Sequence, residues 1–140
     1  MSVLPRSLYT AAQTRELDRR AQATGISAYA LMVRAGEAAF QYLRERWPFA
    51  TRIVVLAGPG NNGGDGYVLA RLAWSQHLDV KVLTVGSHEP LTGAAHEAAT
   101  EATRARVPEM NWQGTLPAAD VYVDALLGTG LNKPLQGAFA

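Results

Sequence analysis

The 140-residue sequence has no cysteine and no long apolar run, and each absence excludes a class of protein. Without cysteine, the chain cannot form disulfides, thiolate metal sites or a cysteine nucleophile. Its apolar runs are far shorter than the ~20 residues that span a bilayer. The first residues have no apolar core and no small-residue cleavage site, so we expect no secretion signal. These features fit a cytoplasmic protein that is not associated with a membrane.

The sequence also has almost no excess of one charge sign, since its formal net charge is +1. Of the 13 basic residues only Lys81 and Lys133 are lysines, and the arginines are scattered along the chain. A nucleic-acid or anionic-membrane partner would favour a clustered basic surface, so we expect neither. A composition that is 48% hydrophobic and 18% charged is that of one ordinary folded domain.

The most informative stretch is residues 53–66, with the sequence IVVLAGPGNNGGDG. A β-branched apolar run passes into five glycines, and an amphipathic helical pattern follows. A strand, a tight loop and a helix N-terminus in this order make an anion-binding site, because free backbone N–H groups converge there. Glycine also lets a phosphate approach the backbone, so we expect positive φ angles at Gly63 and Gly64.

Strands and helices alternate along the rest of the chain, which predicts an α/β fold with a parallel sheet. Thr10 and Ser27 are predicted helix N-caps, and Gly36 within the second helix suggests close packing against another backbone. We expect a weak outer strand near 108–113 and the strand order 3-2-1-4. The predicted helices are 11–23, 28–46, 66–76 and 91–106, and the main strands are 52–57, 80–85 and 120–127.

Two glycine loops follow the strands 52–57 and 120–127. If these strands are neighbours, both loops line one crevice, because ligands of open α/β sheets bind beyond the carboxyl ends of the strands. The strand 120–127 has the apolar composition of a central strand but would be left at the sheet edge. We therefore expect that residues 1–140 are the N-terminal part of one longer domain.

The spacing G-x-G-x-x-G at residues 58–63 is by itself weak support for a dinucleotide site. A dehydrogenase of that type needs an acid about 20 residues further on. That position holds Gly86 and Ser87, with Glu89 slightly late. No Lys-Ser/Thr pair follows the glycines, and no serine lies in a nucleophile elbow. A conventional dehydrogenase, a Walker-type site and a serine hydrolase are therefore disfavoured.

Three segments together resemble the NAD(P)H-hydrate epimerase family, that is, the YjeF-type N-terminal domain. The first is the run NNGGDG at 61–66, which is more specific than the glycine spacing. The others are DALLGTGLNKPL at 124–135 and ALMVRAGEA at 30–38. They occur in the family's order and span nearly the whole chain.

The resemblance implies a Rossmann-like three-layer α/β/α fold, truncated here at its C-terminal side. The implied reaction interconverts the R and S forms of hydrated nicotinamide cofactor, NADHX or NADPHX, in cofactor repair. It also implies a potassium ion held by Asn62 and Asp124, a fused or separate dehydratase, and a homo-oligomer. The implied substrate-binding residues are Asn61, Asn62, Gly63, Gly64, Asp65, Gly128, Thr129, Gly130 and Lys133.

The family's Asp-x-Pro-Ser-Gly motif, which supplies its catalytic aspartate, would lie beyond Ala140. The resemblance therefore assigns no catalytic residue within the chain. An alternative from another class is a non-catalytic binding module of the same fold. The joint presence of Asn62, Asp65 and Asp124 disfavours that alternative, because a scaffold does not need them.

Simpler interpretations remain open for the individual residues. Asp65 could cap the helix after the loop or contact a ligand. Asp124 ends an apolar strand, where a carboxylate needs a partner or a cation. Lys133 could pair with a phosphate or be solvated.

Overall fold

The computed structural model describes residues 7–86 and 90–140. Ser87 and Glu89, near the position at which a dinucleotide-binding acid is expected, lie outside the described residues. The elements, in chain order, are helices α1 (Ala11–Ala23), α2 (Ala28–Arg46), α3 (Asn61–Ser75) and α4 (Gly93–Arg104), strands β1 (Arg52–Ala57), β2 (Asp79–Thr84), β3 (Glu109–Asn111) and β4 (Val121–Ala125), and a short 3₁₀ turn (Gly137–Phe139).

The first two helices begin at the caps that the sequence predicts. Thr10 Oγ1 accepts a hydrogen bond from Gln13 N at 3.2 Å, and Thr10 N donates to Gln13 Oε1 at 2.8 Å. This reciprocal pair is a capping box. Ser27 Oγ accepts from Ala30 N at 3.0 Å and starts α2.

The sheet is parallel in every pair, and its strand order is β3-β2-β1-β4. The predicted order 3-2-1-4 is therefore confirmed. β1 is central, and Ala57 at its carboxyl end pairs with Ala125 at the end of β4. The chain direction across the sheet reverses between these two strands, so their following loops meet at a switch point.

The hydrophobic core lies between one face of the sheet and α3. Val55 pairs with Val82 in register, and both are fully buried. Gly66 of α3 lies over Val55 and Ala125, while α2 and α4 pack against α3. The α/β class and the parallel sheet are confirmed, and these helices form one helical layer.

Helix α3 begins five residues before the predicted start, at Asn61 instead of Gly66. Its N-cap is Gly60, and its first helical hydrogen bond joins Gly64 N to Gly60 O at 3.2 Å. Glycine is a poor helix former, so the sequence pattern favoured a loop here. The packing of α3 against its neighbours overrides that local preference.

Other element bounds differ from the prediction by one or two residues. Helix α4 spans Gly93–Arg104 and not 91–106, because Thr92 is its extended N-cap and Arg106 takes a positive φ of 63°. β2 begins at Asp79, and β4 ends at Ala125. Among the described residues, none of the helices is long and apolar enough to cross a membrane.

Candidate functional site

The loop after β1 is pressed against the chain that leaves β4. Gly58 N donates to Ala125 O at 2.9 Å. A Cβ atom at Gly58 would collide with the Leu126 carbonyl, and one at Gly63 would collide with the Gly58 carbonyl. Only glycine fits at these two positions, so the loop's tight path and its contact with the β4 exit depend on them.

The N-terminus of α3 faces the space between these two loops. Because the first helical bond uses the N–H of Gly64, the N–H groups at the preceding helical positions have no acceptor within the helix. They carry the positive end of the helix dipole. This end of α3 is therefore suited to an anionic ligand such as a phosphate.

Asn62 joins the two loops directly. Its Nδ2 donates to Leu127 O at 3.2 Å, and a Cβ atom at Gly128 would lie 3.2 Å from the Asn62 Cβ. The two glycine loops thus meet in one crevice, as the sequence predicts. The crevice encloses about 830 Å³. The predicted site residues that line it are Asn61, Asn62, Asp65, Gly128, Thr129, Gly130 and Lys133.

Gly63 and Gly64 are buried beneath the crevice and do not line it. Neither has a positive φ angle, so that prediction is wrong. A Cβ atom at Gly64 would lie 2.6 Å from Met32 Sδ and 3.0 Å from Ala95 Cα. These glycines allow α3 to approach α2, α4 and its own loop.

Asp65 lines the crevice from within α3. It lies beyond the first turn, and the N-cap is Gly60, so the interpretation of Asp65 as a helix cap is wrong. Burial, and to a smaller extent the nearby negative charge of Asp18, together raise the pKa of its carboxyl to about 6. Asp65 is therefore a half-buried carboxyl whose protonation changes near neutral pH.

Asp124 does not line the crevice, and on β4 it lies on the sheet face opposite α3. It pairs in register with Leu56, whereas its neighbour Ala125 lies under α3. Its side chain is exposed, and Oδ1 accepts a hydrogen bond from Leu126 N at 3.1 Å. Carboxylate and amide oxygens suit a hard cation, so Asp124 and Asn62 fit a potassium ion by donor type.

The structure adds a wall to the crevice that the sequence did not predict. Thr14, Arg15 and Asp18 of α1 line the same cavity as Asn62 and Lys133. Arg15 Nη1 donates to Thr129 O at 3.4 Å. The i, i+1, i+4 spacing of these polar residues on a predicted helix was the available signal in the sequence.

The fold and the crevice define an α/β protein with an open parallel sheet and a cavity beyond two adjacent strand ends, the place where sheets of this kind bind ligands. The sequence model of the "YjeF-related protein N-terminus" matches residues 28–140. The chain therefore belongs to that family. This confirms the resemblance that the three sequence motifs carry.

Curated relatives support the same assignment. A "Bifunctional NAD(P)H-hydrate repair enzyme Nnr" from Coxiella burnetii is 47% identical over 133 residues, which cover 94% of this chain and 27% of the relative. An "NAD(P)H-hydrate epimerase" from Limosilactobacillus fermentum is 36% identical, with 94% and 64% covered. The chain thus spans about a quarter of the first relative and less than two thirds of the second.

A solved structure confirms the fold. The crystal structure of the yeast protein ynu0 superimposes with a TM-score of 0.81 at 24% sequence identity. The match covers 95% of this chain and 61% of the yeast chain.

Proposed function

We propose that the chain forms the cofactor-binding part of an NAD(P)H-hydrate epimerase and binds NADHX or NADPHX. The single observation that carries this proposal is the crevice in which the α3 N-terminus and the loop after β4 face each other. The names of the relatives supply the substrate class, and the family assignment supports transferring it to this chain.

The expected chemistry is proton or ring chemistry at the hydrated carbon with no net redox change. Free N–H groups of α3 and the backbone after β4 would hold the substrate's phosphates, and Lys133 would add positive charge. Asn61, Asn62 and Asp65 offer amide and carboxyl groups to the ribose and the ring. The acid or base that acts on the ring belongs to the family's downstream aspartate motif.

Binding is the direct test, because it does not need that aspartate. NADPHX should bind to the chain in equilibrium dialysis, and Asn62→Ala should weaken binding about tenfold, since it removes the link between the two loops. Gln41→Ala, on the exposed surface of α2, is the control. If NADPHX does not bind to the unaltered chain, the proposed function is wrong.

Turnover separates an epimerase from a non-catalytic module of the same fold. R-NADPHX should convert to the S form faster than it does spontaneously when these residues are accompanied by the Asp-x-Pro-Ser-Gly motif. The chain of residues 1–140 should bind without converting. Binding without conversion in both proteins would favour the module instead.

We further propose that Asn62 and Asp124 supply oxygen ligands to a potassium ion. Such an ion would add a local positive charge beside the phosphates. Potassium chloride in place of choline chloride should raise the melting temperature of the chain, because a bound ion stabilises the folded state. Asp124→Ala should remove this rise, and Asp79→Ala, which begins β2, should keep it. An equal rise in both variants would exclude Asp124 as a ligand.

A further inference from the structure

Helix α1 has no buried residue, although it spans 13 residues. Hydrophobic packing usually holds a helix in its place in a fold, and α1 has little packing of this kind to fix its position. It also precedes the part of the chain that the family model matches, which begins at residue 28. What α1 does provide is one polar face, turned toward the crevice.

That polar face contacts the loop after β4. Arg15 Nη1 donates to Thr129 O at 3.4 Å, which joins residues 114 positions apart. Thr129 follows β4 and lies where the phosphate-binding backbone is proposed. A guanidinium group has five N–H donors, so one bond to Thr129 leaves others for a ligand.

The same face also acts on the α3 side of the crevice. Asp18 lies one turn after Arg15, and its negative charge reaches Asp65 strongly enough to raise the pKa of that carboxyl. Helix α1 therefore interacts with both sides of the crevice. Among the described residues that line the crevice, two are basic, Arg15 and Lys133, and two are acidic, Asp18 and Asp65.

We propose that α1 is the outer wall of the substrate crevice and that Arg15 is a positioning residue. Arg15 holds the loop around Thr129 in place and turns its remaining donors toward the phosphates of the substrate. The identity of the substrate rests on the proposed function, whereas the contact between α1 and the loop does not. The guanidinium group is planar and carries several N–H donors, whereas a lysine ammonium group is a compact point charge. Lysine can therefore replace only part of this role.

The test compares Arg15→Ala with Arg19→Ala. Both residues lie on α1, but Arg19 pairs with Glu16 at 2.8 Å and does not line the crevice. Hydrogen exchange is measured first, without substrate. Arg15→Ala should accelerate exchange in residues 128–131 several-fold and leave the melting temperature unchanged, whereas Arg19→Ala should leave exchange unchanged.

NADPHX binding is measured next on the same proteins. Arg15→Ala should raise the dissociation constant about tenfold, Arg15→Lys should recover part of the loss, and Arg19→Ala should bind normally. If exchange in 128–131 is the same in Arg15→Ala as in the unaltered chain, α1 does not hold the loop and the proposal is overturned.

Two further outcomes separate this proposal from the proposed function. If the unaltered chain and Arg15→Ala bind NADPHX equally well, only the positioning role of Arg15 is overturned. Unaltered chain that does not bind NADPHX overturns the proposed function, and the exchange measurement still decides whether α1 is the wall.

Discussion

Glycine serves two different purposes in residues 58–66. At Gly58 and Gly63 a side chain would collide with a backbone carbonyl, and at Gly64 it would press on α2 and α4. At Gly60 a Cβ atom would meet nothing within 4 Å. The glycines that resemble a phosphate-binding pattern in the sequence are thus mostly packing residues. In the proposed function, the N–H groups at the start of α3 are the groups that would bind the phosphate.

Gly64→Val should therefore destabilise the chain, by about 1–3 kcal/mol, because the added atoms overpack the contact with Met32 and Ala95. Gly60→Ala is the matched control and should be close to neutral, since its φ of −110° suits alanine. Urea unfolding measures both. If Gly64→Val unfolds at the same urea concentration as the unaltered chain, the packing role of Gly64 is wrong.

Asp65 should make stability fall as pH rises. Its folded-state pKa is about 6, above the ordinary value for aspartate, so the folded chain holds a proton that the unfolded chain has lost between about pH 4 and pH 6. Above that window the ionised, half-buried carboxylate lowers the free energy of unfolding. The pKa of Asp65 can be read from carboxyl carbon shifts in an NMR titration.

Asp18→Asn should lower the pKa of Asp65, because it removes one of the two causes of the rise, and should leave the larger part, which is due to burial. Asp65→Asn should flatten the fall in stability between pH 4 and pH 6. A titration of Asp65 near the ordinary aspartate value would contradict the burial that the structure shows.

At the level of elements, one carboxylate ties the start of β4 to the start of β1. Asp120 accepts from Thr51 N at 3.0 Å and from Arg52 N at 2.9 Å, and it pairs with Arg52 Nη2 at 2.8 Å. These bonds, led by the one from the Arg52 guanidinium, hold the pKa of Asp120 well below its usual range. The stabilisation is present above the ordinary aspartate pKa and is lost as pH falls through the lower folded value.

Asp120→Asn should thus lower the urea midpoint at pH 7, and the difference from the unaltered chain should narrow below about pH 4. Asp79→Asn, which begins β2 in register with Arg52, is the matched control. Equal midpoints for Asp120→Asn and the unaltered chain at pH 7 would mean that water replaces these exposed bonds at no cost.

Element positions that depend on local chemistry were predictable from the sequence, and those that depend on distant contacts were not. Thr10 and Ser27 cap their helices through bonds within three residues, so their signals are visible in the sequence. The alternation of apolar strands and helices predicted the parallel sheet, and the two glycine loops, if they share one crevice, predicted the strand order. The start of α3 at Asn61 depends on packing with α2 and α4, which no local pattern encodes.

The same distinction applies to the site. The crevice was predictable because two glycine loops follow neighbouring strands, and the family resemblance placed Asn62 and Thr129 in it. Arg15 was not predicted as a site residue, because an isolated arginine on a helix is usually a solvated charge. Its contact with Thr129 also joins residues that are far apart in the sequence. Asp124 was identified by its residue type, but its position on the sheet face opposite α3 depends on the strand register.

At the scale of the whole molecule, β4 has an open edge. It pairs only with β1 in the described sheet, and Tyr122, the second residue of the strand, is 45% exposed. An exposed apolar edge strand presents unpaired N–H and C=O groups and is a template for another strand. The described chain also leaves Tyr122 on the sheet face opposite α3.

We therefore expect the 15.0 kDa chain to self-associate through β4. Light scattering over a concentration series should give masses above that of the monomer, and Tyr122→Lys should shift the mass toward the monomer, because a charge at an edge opposes strand pairing. Tyr42→Lys is the matched control, since Tyr42 is 48% exposed but lies on α2. A chain that stays monomeric at high concentration, or an association that Tyr42→Lys disrupts as strongly as Tyr122→Lys, would show that the β4 edge is not the contact.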